Sequence, residues 1–479
     1  MESLKEKTAK GLFWGGLNNG VQQFLGLLFG IILGRLLSPS DYGMMAMIAV
    51  FSLIAGTLQD SGFKVAIANI KHVTDNDYNS VFWFNIIVSA LMYVILFFAS
   101  SFIADYYHTP ELIPLCRYTF LGFVIASMGI SPSAYLFRNL MVKQQAKCGM
   151  IAVVMSNIVG VTLAWLGFSY WALATQGLVF VAINTVMLWH YCKWRPTFKI
   201  DFTPVKKMFR FSCKILATTI LTHINNNVLN ILLGRYFTSR QVGDYNQAYQ
   251  WDSKGFYLIQ GMVNQVAQPV FVNLNNERER QLRILRKMMR FTAFISFPLM
   301  FGLALVSHEF IIVAITAKWI NSAVLLQLLC VSGAFIPLST LLSNLIISKG
   351  NSSIYMWCTL VLGAVQIILM ILLYPYGIRT MVVGYVILNI FWLFVWLFFV
   401  RRLTGYGFIA ILKDILPFCG IAAGVMIITY LITSAIPNMI LLLISRIILA
   451  ALLYYAVMRV ARVSILKECT DFIVSKIRH

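Results

Sequence analysis

Residues Ile32–Gly43 read ILGRLLSPSDYG, and Leu232–Gly243 read LLGRYFTSRQVG. The two stretches align without a gap at an offset of 200 residues: Gly34-Arg35 falls on Gly234-Arg235, Ser38 on Thr238, and Gly43 on Gly243. Each closes an apolar run of the length that crosses a hydrocarbon core of about 30 Å, which takes about 20 helical residues. Working outward, fourteen such runs occur, near 12–34, 42–66, 81–104, 115–137, 149–167, 170–192, 213–234, 243–272, 291–314, 323–347, 354–374, 381–400, 415–434 and 438–458. The run at 243–272 fits least well, because its first turns (Asp244, Tyr245, Asn246, Gln247) are polar. Six runs separate the two copies. An even number returns the chain to its starting side, so the halves are expected to relate by a pseudo-two-fold along the membrane normal.

Composition points the same way. The 479 residues are 59% hydrophobic and 11% charged, with a mean hydropathy of +0.79. A soluble domain carries about 25% charged residues, so a soluble enzyme, a nucleic-acid binder and a disordered scaffold are all excluded. The eight cysteines are scattered, with no CxxC pair or metal-ligand spacing, and read as small apolar packing residues. The opening MESLKEKTAKGLFWGG leads into a run too long for a signal h-region, with no A-x-A pattern, so the first span is expected to be retained. No Walker loop, zincin motif or nucleophile elbow occurs. The sequence therefore implies no catalytic residue, metal or cofactor.

The net charge of +21 is distributed by side. With a cytoplasmic N-terminus, 30 Lys and Arg fall in inner segments and 5 in outer loops, counting Lys64 and Lys214 with the inner ends they adjoin. The remaining three, Arg117, Lys254 and Arg446, lie within spans. The positive-inside rule then puts both termini in the cytoplasm. Two inner segments mix apolar and basic residues, Phe198–Ser212 and Glu277–Arg290, as does the tail at 463–479. Each reads either as an amphipathic helix on the inner leaflet or as a solvated positive-inside loop.

Four segments carry a family resemblance: GRLLSPSDYGMMAM (Gly34–Met47), LAWLGFSYWALATQ (Leu163–Gln176), NNNVLNILLGRYFTSRQVGDYNQAY (Asn225–Tyr249) and QPVFVNLNNERERQLRILRKMMRFTAFISFPLMFGLAL (Gln268–Leu305). In this order, spanning most of the chain, they resemble the Wzx-type polysaccharide flippases of the multidrug/oligosaccharidyl-lipid/polysaccharide exporter superfamily. The likeness is to fourteen-span exporters of capsule, colanic-acid, teichuronic-acid or lipopolysaccharide O-antigen units. It implies two six-helix lobes in a V around a cavity that alternates between membrane sides. The implied cargo is an undecaprenyl-diphosphate-linked oligosaccharide. The implied partners are that cargo, membrane lipids and other polysaccharide-assembly proteins, with no nucleic acid.

Polar residues inside the spans are the site candidates. Asn19, Gln22, Gln23, Gly26, Gly30 and Gly34 recur every three or four residues in span one, on one helix face. Span seven carries Asn226 and Asn230 at the offset positions of Gly26 and Gly30, flanked by His223 and Asn227. Such stripes either seal a lobe through interhelical hydrogen bonds or line the cavity and meet sugar hydroxyls. Asp60 and Lys64, four apart in span two, can pair on one face, can snorkel, or can meet cargo. In span eight Asp252 and Lys254 point to different faces. Lys254 shares its face with Gln247 and Gln250 beside Tyr249 and Trp251, a set that suits a sugar and a diphosphate. Arg35, Arg117 and Arg235 are further diphosphate candidates, with interfacial anchoring the favoured role for Arg35 and Arg235.

The expected protein is thus an all-α polytopic membrane protein of about fourteen transmembrane helices. Its expected parts are an N-lobe (1–192), an amphipathic inter-lobe linker (193–212), a C-lobe (213–402), spans thirteen and fourteen (403–462) and a cytoplasmic tail (463–479). Its expected work is flipping a lipid-linked oligosaccharide across the bacterial inner membrane by alternating access. Two alternatives stay open: a cation-coupled multidrug exporter of the same superfamily, and a polysaccharide polymerase or ligase. The latter would be expected to carry a large outer loop, and every outer loop here is short.

Overall fold

The computed structural model describes residues 4–60, 67, 73–139, 141–198, 201–203, 205, 227, 229–274, 277–405, 407–463 and 465–466. The described residues are mostly helical, with no strand among them. Contacts divide the chain into two compact units, 1–243 and 244–479.

The first unit holds α1 (Leu4–Leu36), α2 (Pro39–Asp60), α3 (Asp75–Tyr107), α4 (Leu112–Arg138), α5 (Val142–Trp165) and α6 (Tyr170–Tyr191). The helical residues 229–236 and the first turn of α7 (Ser239–Asn273) belong to it as well. Within it α3 packs on α4, α5 on α6 and on α1, and α2 on α4 and α6. The second unit holds the rest of α7, then α8 (Arg278–Ile315), α9 (Ile320–Gly333), α10 (Ile336–Ser348), α11 (Ser352–Leu373), α12 (Ile378–Thr404), α13 (Phe408–Thr433) and α14 (Met439–Val460). Its centre is α8, whose Leu285, Met289, Ala293 and Phe297 recur every fourth residue and are fully buried. That face meets α9, α13 and α14. Lipid tails are as apolar as these side chains, so the packing rests on close van der Waals fit rather than on removal of water.

The described residues at the fourteen expected positions are mainly helical, with α9 and α10 together forming one of them and only 227 and 229–234 described of the seventh. Ten described segments are long and apolar enough to cross a membrane. The exact count of fourteen does not follow from this. In α1 the apolar stretch Gly20–Leu36 is shorter than the spanning length, while α2 and 229–236 are described only in part, and α7 is polar over its first turns.

One expectation changes. Glu277–Arg290 is neither a separate surface helix nor a solvated loop: it is the first third of the continuous 38-residue α8. Its apolar face is used up on protein, through buried Leu285 and Met289. The described part of the inter-lobe linker is extended over 192–197 and lies on the start of α3. There Asn79 Oδ1 accepts from the Thr197 N–H at 2.9 Å, Trp83 donates to the Thr197 carbonyl at 2.7 Å, and Asn76 donates to Asp201 at 2.9 Å.

Candidate functional site

The repeat seen in the sequence is also a repeat of local structure. Ser38 and Asp41 form a reciprocal cap at the start of α2: the Ser38 N–H donates to Asp41 Oδ2 at 2.8 Å, and the Asp41 N–H donates to Ser38 Oγ at 3.3 Å. Two hundred residues on, the Thr238 N–H donates to Gln241 Oε1 at 3.2 Å, and the Gln241 N–H donates to Thr238 Oγ1 at 3.4 Å. Both are capping boxes, which fulfil two free backbone donors at a helix start. The S-x-x-D and T-x-x-Q spacing was legible in the sequence and is the signal that would have found them. Asp41 is buried and also accepts from Ser169 Oγ at the start of α6.

The two capped turns touch each other. A Cβ on Gly43 would collide with the Ser239 carbonyl, and a Cβ on Gly243 with the Pro39 carbonyl. The contact is reciprocal, because residues 43 and 39 of one copy meet 239 and 243 of the other. The missing side chains let the backbones approach to within Cα–H···O range. Arg235 lies beside this junction. It donates to the Tyr106 carbonyl, sits 2.8 Å from His108 Nε2, and its guanidinium lies 5.1 Å from the Tyr106 ring centre. Its donors are thus engaged at the end of α3. Arg35 is exposed.

Of the span-one candidates, Gln22 is half-buried and Gln23 exposed. The side chains of Asn19 and Asp60 lie outside the described ones, as do Lys64 and Asn226 altogether. Asn230 is buried, with its amide 3.5 Å from Asn227 Oδ1. In α7 the polar residues separate by face. Gln247 and Asp252 are buried, whereas Gln250 is exposed and Tyr249 and Lys254 are intermediate. Tyr249 stacks on Tyr245 at 6.1 Å. The Lys254 ammonium rests 4.3 Å from the centre of the Trp251 ring one turn back. Among the described residues it makes no ion pair. Asp252 faces the other way, meeting the Cys330 thiol and the backbone at Gly333, where a Cβ would fall 2.5 Å from its Oδ1. The divergence of the two charges is as the spacing predicts.

Arg117 enters a groove in the first unit between α3, α4 and α6, and its Nε donates to Ser100 Oγ at 3.2 Å. Sequence reasoning passed over two buried ion pairs. Asp414 of α13, fully buried, holds Arg286 at 2.8 Å and Arg290 at 2.5 Å on α8. Glu309 of α8 faces Arg446 of α14 at 2.8 Å, both nearly inaccessible. No periodicity links positions 128 and 137 residues apart, so only the fold reveals these pairs.

Comparison with known proteins adds the following. A family profile described as "Polysaccharide biosynthesis protein" matches residues 32–324. The lipopolysaccharide biosynthesis protein WzxC of Escherichia coli (strain K12) is 26% identical over 360 residues, which cover 74% of this chain and 72% of that protein. The teichuronic acid biosynthesis protein TuaB of Bacillus subtilis (strain 168) is 24% identical, covering 74% of each chain. Among solved structures, the lipid II flippase MurJ in an inward closed conformation superposes with a TM-score of 0.75 at 17% identity, covering 95% of this chain and all of that one.

Proposed function

Because this chain belongs to the polysaccharide biosynthesis protein family, we propose that it flips an undecaprenyl-diphosphate-linked oligosaccharide from the inner to the outer leaflet for surface polysaccharide assembly. The observation that carries this reading is a fold shared end to end with a lipid II flippase. Transport rather than catalysis is the work of such a chain, a multi-pass protein of the bacterial inner membrane with both termini cytoplasmic. The six-span lobes are 1–192 and 213–402, joined by 193–212 and followed by spans thirteen and fourteen and the tail.

A diphosphate carries two or more charges, and burying them bare in hydrocarbon would cost many kcal/mol. The head group and glycan therefore cross in a polar cavity while the polyprenyl chain stays in lipid. The side chains assigned to that cavity are Asn19, Gln22, Gln23, Asp60, Lys64, Asn226, Asn230, Gln247, Tyr249, Gln250, Asp252 and Lys254. Support for Lys254 as the phosphate contact is its lack of a carboxylate partner among the described residues and its seat on Trp251. A ring beside an ammonium offers a sugar face and a phosphate charge at once.

The experiment is deletion of the gene in its own host, followed by isolation of polyprenyl-linked material. Accumulation of one lipid-linked glycan, cleared by restoring the gene, is the expected result and yields the cargo's structure. Unchanged lipid-linked glycan pools together with unchanged surface polysaccharide would refute the assignment.

A further inference from the structure

The groove between α3, α4 and α6 has a volume of about 480 Å³ and is lined by Tyr93, Pro114, Arg117, Tyr118, Leu121 and Trp171. Arg117 stands five residues into α4, about 7.5 Å along the helix from its start at a rise of 1.5 Å per residue. By the charge rule this is the outer end, so the guanidinium lies near the depth at which phosphates meet acyl chains. Two contacts hold its plane: the Phe97 ring, 4.2 Å away at its centre, and Ser100 Oγ, which accepts from Nε. Among the described residues the terminal nitrogens Nη1 and Nη2 have no acceptor. The Tyr118 hydroxyl lies 3.0 Å from Thr175 Oγ1, and Trp171 packs edge-on against the Tyr118 ring at 5.4 Å. The groove thus offers one positively charged fork among interfacial aromatics, and no acidic side chain lines it.

Beyond the groove the wall is bare and apolar. Leu121 and Met128 are exposed one heptad apart on α4, and Leu91, Val94 and Phe98 are exposed on α3. Apolar side chains exposed along a membrane-spanning helix are the surface that acyl chains cover.

We propose that this groove seats the phosphate of one bilayer phospholipid, held by the Arg117 fork, with its acyl chains laid along the exposed flanks of α3 and α4. A phosphodiester carries one negative charge, which one guanidinium matches bidentately. The cargo's diphosphate would leave its further charge unmatched here, so the lipid of the surrounding bilayer is the better fit. A seated lipid would tie α3, α4 and α6 together at their outer ends.

The test is native mass spectrometry of the delipidated, detergent-purified protein titrated with phosphatidylglycerol. Wild type is expected to gain one saturable adduct, and Arg117→Ala to bind it about tenfold more weakly, the scale of one charged hydrogen bond. Arg117→Lys should fall between them, since an ammonium keeps the charge and loses the fork. Leu121→Trp fills the groove from its rim while keeping the guanidinium and should lose the adduct too, which decides the matter if Arg117→Ala does not fold. Equal binding by wild type and either Arg117→Ala or Leu121→Trp overturns the proposal. So does displacement of phosphatidylglycerol by equimolar undecaprenyl phosphate, which would assign the groove to cargo. The assay reads binding alone, so its outcome is independent of the transport reading.

Discussion

Lys254 and the Glu309–Arg446 pair are both charges on helices of the second unit, and they call for opposite tests. Lys254 rests on an aromatic ring and pairs with no carboxylate among the described residues, and the proposed function makes it the contact for an anionic cargo. Lys254→Ala should lower surface glycan per folded molecule by about tenfold or more, the effect of losing one charged hydrogen bond. Lys254→Arg should retain part of the export, and Lys254→Glu should abolish it by setting an anion against an anion. Normal export by Lys254→Glu at normal abundance would remove this residue from the mechanism. Arg446 is the reverse case, since its contact with Glu309 is internal and nearly dry. Arg446→Met strands a buried carboxylate and should cost about 3–5 kcal/mol, whereas Glu309→Gln combined with Arg446→Met should recover most of that loss. Thermal unfolding in detergent measures both, and equal midpoints for the single and double variants would contradict an internal pair.

Helix by helix, the apolar runs told where hydrocarbon lies but not where helices end. The run at 81–104 belongs to a helix from Asp75 to Tyr107, started by a Thr74–Asp77 cap outside the apolar window. The run at 323–347 is two helices, α9 and α10, with Pro337 in the first turn of the second. Proline alone could not have shown that break, because Pro132, Pro298 and Pro417 all sit inside continuous helices. The amide stripes were legible from spacing. In α7 the spacing grouped Gln247 and Gln250 with Lys254 but did not tell which of them faces protein, as the burial of Gln247 beside the exposure of Gln250 shows, because facing depends on neighbours distant in sequence. The repeat was the most informative feature, since it predicted equivalent ends and the structure brings those ends into contact. Gly43→Ala and Gly243→Ala should therefore act alike, each forcing a methyl onto a carbonyl of the other copy at about 1–3 kcal/mol. A thermal shift for one and none for the other would argue against a reciprocal junction.

Across the whole chain, the asymmetry of basic residues and the family's fold make two claims, one about sidedness and one about transport. For the first, single cysteines at Thr109 and Asn438 should react with an impermeant maleimide added outside, and one at Arg283 should not, in a background without native cysteines. Labelling at position 283 in sealed cells would reverse the topology. The second claim is the central one. Purified protein in liposomes carrying a lipid-linked oligosaccharide on both leaflets should expose nearly all of that glycan to an impermeant glycosidase, while protein-free liposomes keep their inner-leaflet share protected. A protected share that stays the same with and without the protein would contradict the account.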